Sequence, residues 1–202
     1  MNGISILKAV LAGAALMLTG LGAANAAGAM VTGGLTSQPI GHYEFCKENP
    51  KLCSIRTRDN GPARMTGELA RALNAINVAV NRAVRPMNDS DIYGKTEVWA
   101  FPVNQVGDCE DYVLEKQREL SAAGISLSNL LITVVRKADG EGHAVLTVRT
   151  DRGDIILDNL TDDIRPWNET GYRFLKRQSS VDTGRWVSVR GGSKTPTVAS
   201  VD

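Results

Sequence analysis

Apolar residues recur at helical spacing from Thr66 to Val84, where Leu69, Leu73, Ile76, Val80 and Val84 fall on one face. Asn74, Asn77 and Asn81 take the other side, and Pro86 ends the pattern. A single apolar stripe predicts a helix that buries one face against a core. A second helix is predicted from about Cys109 to Ala123, introduced by Gly107-Asp108 and stopped by Gly124. Its buried side is Tyr112, Val113, Leu120 and Ala123. Between the two lie a polar linker, residues 88–95, and the apolar group Trp99-Ala100-Phe101-Pro102. The pattern then becomes that of strands. Leu130 to Arg136 is rich in β-branched residues, His143 to Thr150 alternates, and Asp154 to Asp158 returns. Turns at Asp139-Gly140-Glu141-Gly142 and Asp151-Arg152-Gly153 separate them, and short strands are predicted at Tyr172–Leu175 and Arg185–Val189. Helices followed by antiparallel strands predict an α+β domain.

The ends read differently. Lys8 precedes an apolar run from Ala9 to about Ala23, and Ala24-Asn25-Ala26 follows. A charged start, a short apolar stretch and a small-x-small end predict a cleaved secretory signal over residues 1–26. The run is shorter than the roughly 20 residues of a membrane span. Residues 27–41 are rich in Gly, Thr and Ser and predict a flexible lead-in, within a loop-rich segment over 27–62. The tail 191–202 is predicted to be flexible.

Loss of the leader leaves 176 of 202 residues with 22 basic and 22 acidic side chains. That length suits one domain with a real core. Balanced charge without like-charge blocks argues against a nucleic-acid partner, and nothing predicts a stable membrane contact once the signal is gone. Of three cysteines, Cys46 and Cys53 flank a short stretch bent by Pro50, and an oxidising compartment would pair them as a disulfide. Cys109 is left as the odd thiol.

Cys109 opens a predicted helix, where unpaired N–H groups and the macrodipole favour a thiolate. Asp108, Glu110 and Asp111 act in the opposite direction, so an imidazolium or a bound cation has to offset them. His143, at a strand start, is the natural partner; His42 lies in the loop-rich segment. A thiol, an imidazole and an acid that orients it make up the machinery of a papain-like nucleophile. A two-residue turn at Arg152-Gly153 would pair position 143 with 162 and 147 with 158. That register favours Asp162, and Asp158 would need an offset; the pattern leaves both open.

Gly107-Asp108-Cys109-Glu110-Asp111-Tyr112, Gly142-His143-Ala144-Val145-Leu146 and Leu157-Asp158-Asn159-Leu160 together resemble the bacterial transglutaminase-like cysteine proteinases. Phe45-Cys46, Pro50, Cys53, Trp99 and Arg177-Gln178-Ser179 also fit, so the likeness spans roughly residues 42–190. It implies a papain-like, transglutaminase-like core with N-terminal helices packed on an antiparallel sheet, the catalytic domain occupying residues 63–190. It also implies Cys109 as nucleophile, His143 as base and acid, and Asp158, rather than Asp162, as orienter. LapG-type periplasmic proteases of this family cut surface adhesins and need calcium. By resemblance Asp108 and Glu110 are calcium ligands, with Asp111 a further candidate, and carboxylate oxygens suit Ca²⁺. The same acids also read as an N-cap Asp and an acidic first helical turn, and both readings stand.

The expectation is an exported, periplasmic or secreted cysteine peptidase acting on an envelope or surface protein. Transfer of the acyl group to an amine, as in a transglutaminase or amidase, uses the same three residues. A non-catalytic envelope-binding module is the remaining alternative.

Overall fold

The computed structural model describes residues 28–190. The predicted signal segment and the predicted flexible tail lie outside the described residues.

Strand β1 (Val31–Thr36) leads into helices α1 (Ile40–Glu48) and α2 (Pro50–Cys53). Helix α3 (Gly67–Ala83) follows, then β2 (Arg85–Pro86), α4 (Asp89–Tyr93), β3 (Val106–Gly107) and α5 (Cys109–Ala122). The rest is strand: β4 (Leu130–Arg136), β5 (Gly142–Thr150), β6 (Gly153–Leu157), β7 (Arg165–Pro166), β8 (Arg173–Ser179) and β9 (Asp182–Arg190). Seven strands form one antiparallel sheet in the order β1-β9-β8-β4-β5-β6-β7, and β2 and β3 form a small parallel pair. The fold is α+β and transglutaminase-like, with α3 and α5 packed on the sheet.

The sheet is apolar on both faces because helices cover one side and loops the other. Leu130, Ile132, Ala144, Leu146, Val148 and Leu157 pack with Leu73 of α3 and with Val113, Leu114 and Leu120 of α5. On the opposite face Val135, Val145 and Ile156 pack with Met30, Trp167 and Phe174. Removing any of these large side chains would cost about 2–5 kcal/mol.

Three local expectations change. Residues 27–62 are not loop-rich: they hold β1, α1 and α2, and Met30 and Phe45 enter the core. The Gly- and Thr-rich stretch becomes a strand because β9 offers it a partner, pairing Val31 with Arg190 and Thr36 with Trp186. The polar linker contains α4, which ends at Gly94 in the left-handed conformation. Finally, the asparagine side of α3 is not a solvent face. Asn77 is buried, and its amide donates to the Asp162 carbonyl, while that of Asn81 donates to the Asp158 and Thr161 carbonyls and to Asp162 Oδ1. These bonds tie the loop after β6 to α3. Helix α3 itself starts as read, with Thr66 accepting from the Leu69 amide.

Cys46 and Cys53 form a disulfide that joins α1 to α2, their Cα atoms 5.5 Å apart. Cys109 is the free cysteine of the described residues.

Candidate active site

Cys109 is the first residue of α5 and Asp108 occupies its N-cap position, yet the Asp108 side chain makes no capping hydrogen bond. Its Oδ1 is buried without a partner. The N-cap reading therefore accounts for the residue's place and not for its carboxylate. The Cys109 thiol donates to Glu110 Oε2 at 2.9 Å, and the Ala144 backbone amide sits close enough to favour its thiolate. Ala144 directly follows His143, so the helix start and the beginning of β5 meet at this sulfur. No hydrogen bond joins Sγ to the His143 ring among the described residues; the thiol proton is directed to Glu110 instead.

Electrostatics at this end are strained. Burial, then the Glu110 charge and hydrogen bond, push the Cys109 thiol well up despite the Ala144 amide. Burial, reinforced by Asp108, raises Glu110 to about 9. Burial, with Asp89 next, raises Asp108 to about 6, and burial raises Asp111 to about 7. Asp89 also moves up through burial. Ligand atoms of Asp108, Cys109 and Glu110 lie within 4.8 Å of one another, and so do those of Asp89, Asp108 and Asp111. Asp89 Oδ1, Asp108 Oδ1 and Asp111 Oδ2 are all buried and unpartnered. Converging hard oxygens with no donor to satisfy them fit a divalent cation such as calcium. Backbone donors hold the remaining oxygens: the Val98 amide on Asp89 Oδ2 and the Ala100 amide on Asp111 Oδ1. Gly107 is required here, since a Cβ would sit 2.6 Å from Asp111 Oδ2.

The other end is satisfied throughout. His143 Nε2 lies 2.9 Å from Asp158 Oδ1, which also accepts the Leu160 amide at 3.1 Å. Tyr172 donates its hydroxyl to Asp158 Oδ2 at 2.6 Å and sets its ring edge-on to His143, centroids 5.5 Å apart. Burial pushes Asp158 up, but hydrogen bonds from His143, Tyr172 and Leu160 outweigh it and hold the carboxyl below the usual range. An ionised carboxylate can only accept, so His143 carries its proton on Nε2 and leaves Nδ1 free. His143 and Asp158 are both buried.

Register explains why Asp158 and not Asp162 reaches His143. The turn is one residue earlier than the Arg152-Gly153 reading: Thr150 pairs with Gly153 and Leu146 with Leu157. Continued by one residue, that ladder sets Asp158 across from Val145, a diagonal step from His143. Asp162 accepts from Asn81 instead.

His42 plays no part at the thiol. It is buried between Trp99 and Trp186, with ring centroids at 5.3 and 5.2 Å, and burial drives its pKa to about 4. Trp99 is a core residue. Lys116, on α5 like Cys109, is fully buried with no hydrogen-bond partner for Nζ. Burial lowers it to about 7, while the charges of Asp158 and Asp162 resist the shift. Sequence reasoning missed Tyr172, Asp89 and Lys116. Lys116 alone carried a signal, a lysine in a helix otherwise predicted to face the core two turns beyond the thiol.

Comparison with the curated proteins finds no match. Among solved structures, LapG from Legionella pneumophila superposes with a TM-score of 0.51 at 23% identity, over 61% of this chain and 69% of that one. Its calcium-bound form superposes with a TM-score of 0.52 at 22% identity, over 79% and 86% of the two chains. The EGTA-treated form gives 0.51 at 24%, over 61% and 69%. At such identities the likeness shows the fold. The model for bacterial transglutaminase-like cysteine proteinases (BTLCP) matches residues 32–194, most of the chain, and the protein belongs to that family of cysteine proteinases.

Proposed function

We propose that the protein is an exported thiol peptidase that cleaves an envelope or surface protein, with Cys109, His143 and Asp158 as its catalytic residues. The observation that carries this reading is the buried His143–Asp158 pair, 2.9 Å apart at the start of β5, with α5 and its helix-opening Cys109 packed against that strand. In the reaction His143 Nδ1 takes the thiol proton, and the sulfur attacks the scissile carbonyl carbon. Collapse of the tetrahedral adduct breaks the C–N bond, and His143 passes its proton to the departing amine. Water then attacks the thioester with His143 as base, releasing the acid and restoring the thiol. Asp158 holds the imidazole in the Nε2–H tautomer and offsets its charge when protonated.

The resting arrangement favours the neutral thiol, because Glu110 accepts its proton and burial opposes charge. Asp108 and Glu110 would hold calcium, with Asp111 and Asp89 supplying further oxygens. The cation would bring positive charge beside the thiol and neutralise the carboxylates that resist its ionisation. Support for calcium comes from the three unpartnered carboxylate oxygens and from a solved calcium-bound protein of the same fold. The predicted leader and the Cys46–Cys53 disulfide support a periplasmic or secreted location. No helix of the described residues is long and apolar enough to cross a membrane. A surface adhesin is the substrate suggested by the LapG-type relatives.

Incubating envelope proteins with the enzyme and calcium, then labelling new amino termini for mass spectrometry, tests this directly. Cleavage products should appear with the wild type and vanish with Cys109→Ala. Persistence of the same products with Cys109→Ala would sink the proposal. A primary amine added to the mixture separates hydrolysis, which yields free acid, from transfer, which yields an amide-linked adduct.

A further inference from the structure

We infer that Tyr172 is a positioning residue for the reaction, fixing Asp158 and the plane of the His143 imidazole; this rests on the catalytic reading above. Asp158 has two oxygens and three donors around them. His143 and the Leu160 amide share Oδ1, and the Tyr172 hydroxyl alone takes Oδ2. With Oδ2 engaged at 2.6 Å the carboxylate cannot rotate to offer His143 its other oxygen without giving up a short, charge-assisted bond. The ring adds a second restraint. Its edge-to-face contact with His143, at 66° between planes, limits rotation of the imidazole about its own axis. A single side chain thus holds both the acid and the base, from a segment of chain that neither belongs to.

The loop behind Tyr172 is built to hold it still. The Thr170 hydroxyl donates to the Trp167 carbonyl and accepts the Tyr172 amide, and Trp167 is anchored in the core. Gly171 between them has φ of 75°, a left-handed conformation that a side chain would strain. Burial and then the Asp158 carboxylate raise the phenol, so it stays protonated and remains a donor across the working range. The other titratable or charged groups near this group are Lys116 and Cys109 from α5 and Asp163 and Arg165 beyond β6, none of them hydrogen-bonded to Asp158. Asp158 and Tyr172 also line a pocket of about 30 Å³ with Thr161 and Arg165, enough for one water. Loss of the hydroxyl would let solvent reach Oδ2, so the acid would be loosened and not left bare.

The test uses the full chain in calcium-containing buffer, with iodoacetamide as the probe of Cys109 and its alkylation rate followed against pH. Wild type should react fast near neutral pH and His143→Ala slowly. Tyr172→Phe keeps the ring and loses one hydrogen bond to a charged group, so its rate should fall by about tenfold. Its acid limb should move to higher pH, because Asp158 is less firmly held ionised. In an Asp158→Asn background Tyr172→Phe should have little further effect, whereas a merely structural tyrosine would cost the same in both backgrounds. Nitrogen NMR of the His143 ring gives an independent reading: mainly Nε2–H in wild type, mixed tautomers in Tyr172→Phe. A Tyr172→Phe profile superimposable on wild type, with His143→Ala slow, overturns the role of Tyr172 alone. Equal reactivity of His143→Ala and wild type overturns the catalytic reading and this inference with it.

Discussion

The two halves of the site are opposites in how their polar groups are satisfied. Around Asp158 every carboxylate oxygen has a donor, and the acid is held below its usual range in spite of burial. Around Cys109, Asp89, Asp108 and Asp111 each keep a buried oxygen with no partner, and these three acids and Glu110 are pushed up. Burial is common to both, so burial is not the difference. Donors are: the first half draws on a histidine, a phenol and a backbone amide, while the second gathers acids against acids. On the proposed mechanism, the half that handles the proton is built from paired groups, and the thiol half is the one a cation would complete.

The largest expected effect comes from undoing the finished half. Asp158→Asn keeps the shape and reverses the hydrogen bond, and should lower peptide cleavage on the order of 10³–10⁴-fold with little change in melting temperature. A loss below tenfold would mean that this half does not orient the base. On the unfinished side, Glu110→Gln removes the charge that opposes ionisation of Cys109 and leaves an amide in place of the carboxylate. In chelator its iodoacetamide rate above about pH 9, where Glu110 is ionised, should exceed that of wild type by about tenfold, the effect of roughly one unit in thiol pKa. An unchanged rate would show that Glu110 does not restrain the thiol.

A weaker signature is thermal stability against pH. Asp108, Asp111 and Glu110, at about 6, 7 and 9, bind protons more readily folded than unfolded. Stability in chelator should therefore fall from about pH 4 to about pH 7, His42 offsetting part of the loss, and change little from there to about pH 9, where the lowered Lys116 opposes Glu110. Scanning calorimetry should show the midpoint dropping by a few degrees over that range. Calcium should flatten the slope by stabilising the ionised forms, and a flat profile without calcium would remove the case for frustration. The smallest effect belongs to Asn81→Ala, which releases the loop carrying Asp158 from α3. Chemical unfolding should report a loss of about 1 kcal/mol, and no loss would mean the loop is held by the sheet alone.

Much of this molecule is legible locally. The apolar stripe of α3 and the residues of α5, β4, β5 and β6 fall close to where periodicity and turn residues place them, because those signals depend on neighbours in sequence. Strand β1 was not legible, since Gly33-Gly34 has no strand character until β9 pairs with it. Nor was α4, too short to show a period. At the site, Cys109 and His143 stood out as an unpaired thiol at a helix start and a histidine at a strand start. Tyr172 and Asp89 had no such mark.

The sequence by itself determined helices α3 and α5 and the central strands, the candidate thiol and its histidine, and the acidic flank that argues for a cation. Those are properties of composition and of spacing within a few residues. Tertiary structure decided which aspartate reaches His143, through a hairpin turn placed one residue earlier, and it decided what surrounds each carboxylate. Asp158 and Asp108 are the same residue type, the first buried and the second half-buried. One meets a phenol and an imidazole and the other meets Asp89 beside its own helix neighbour Glu110, and all of these but Glu110 come from other segments of the chain.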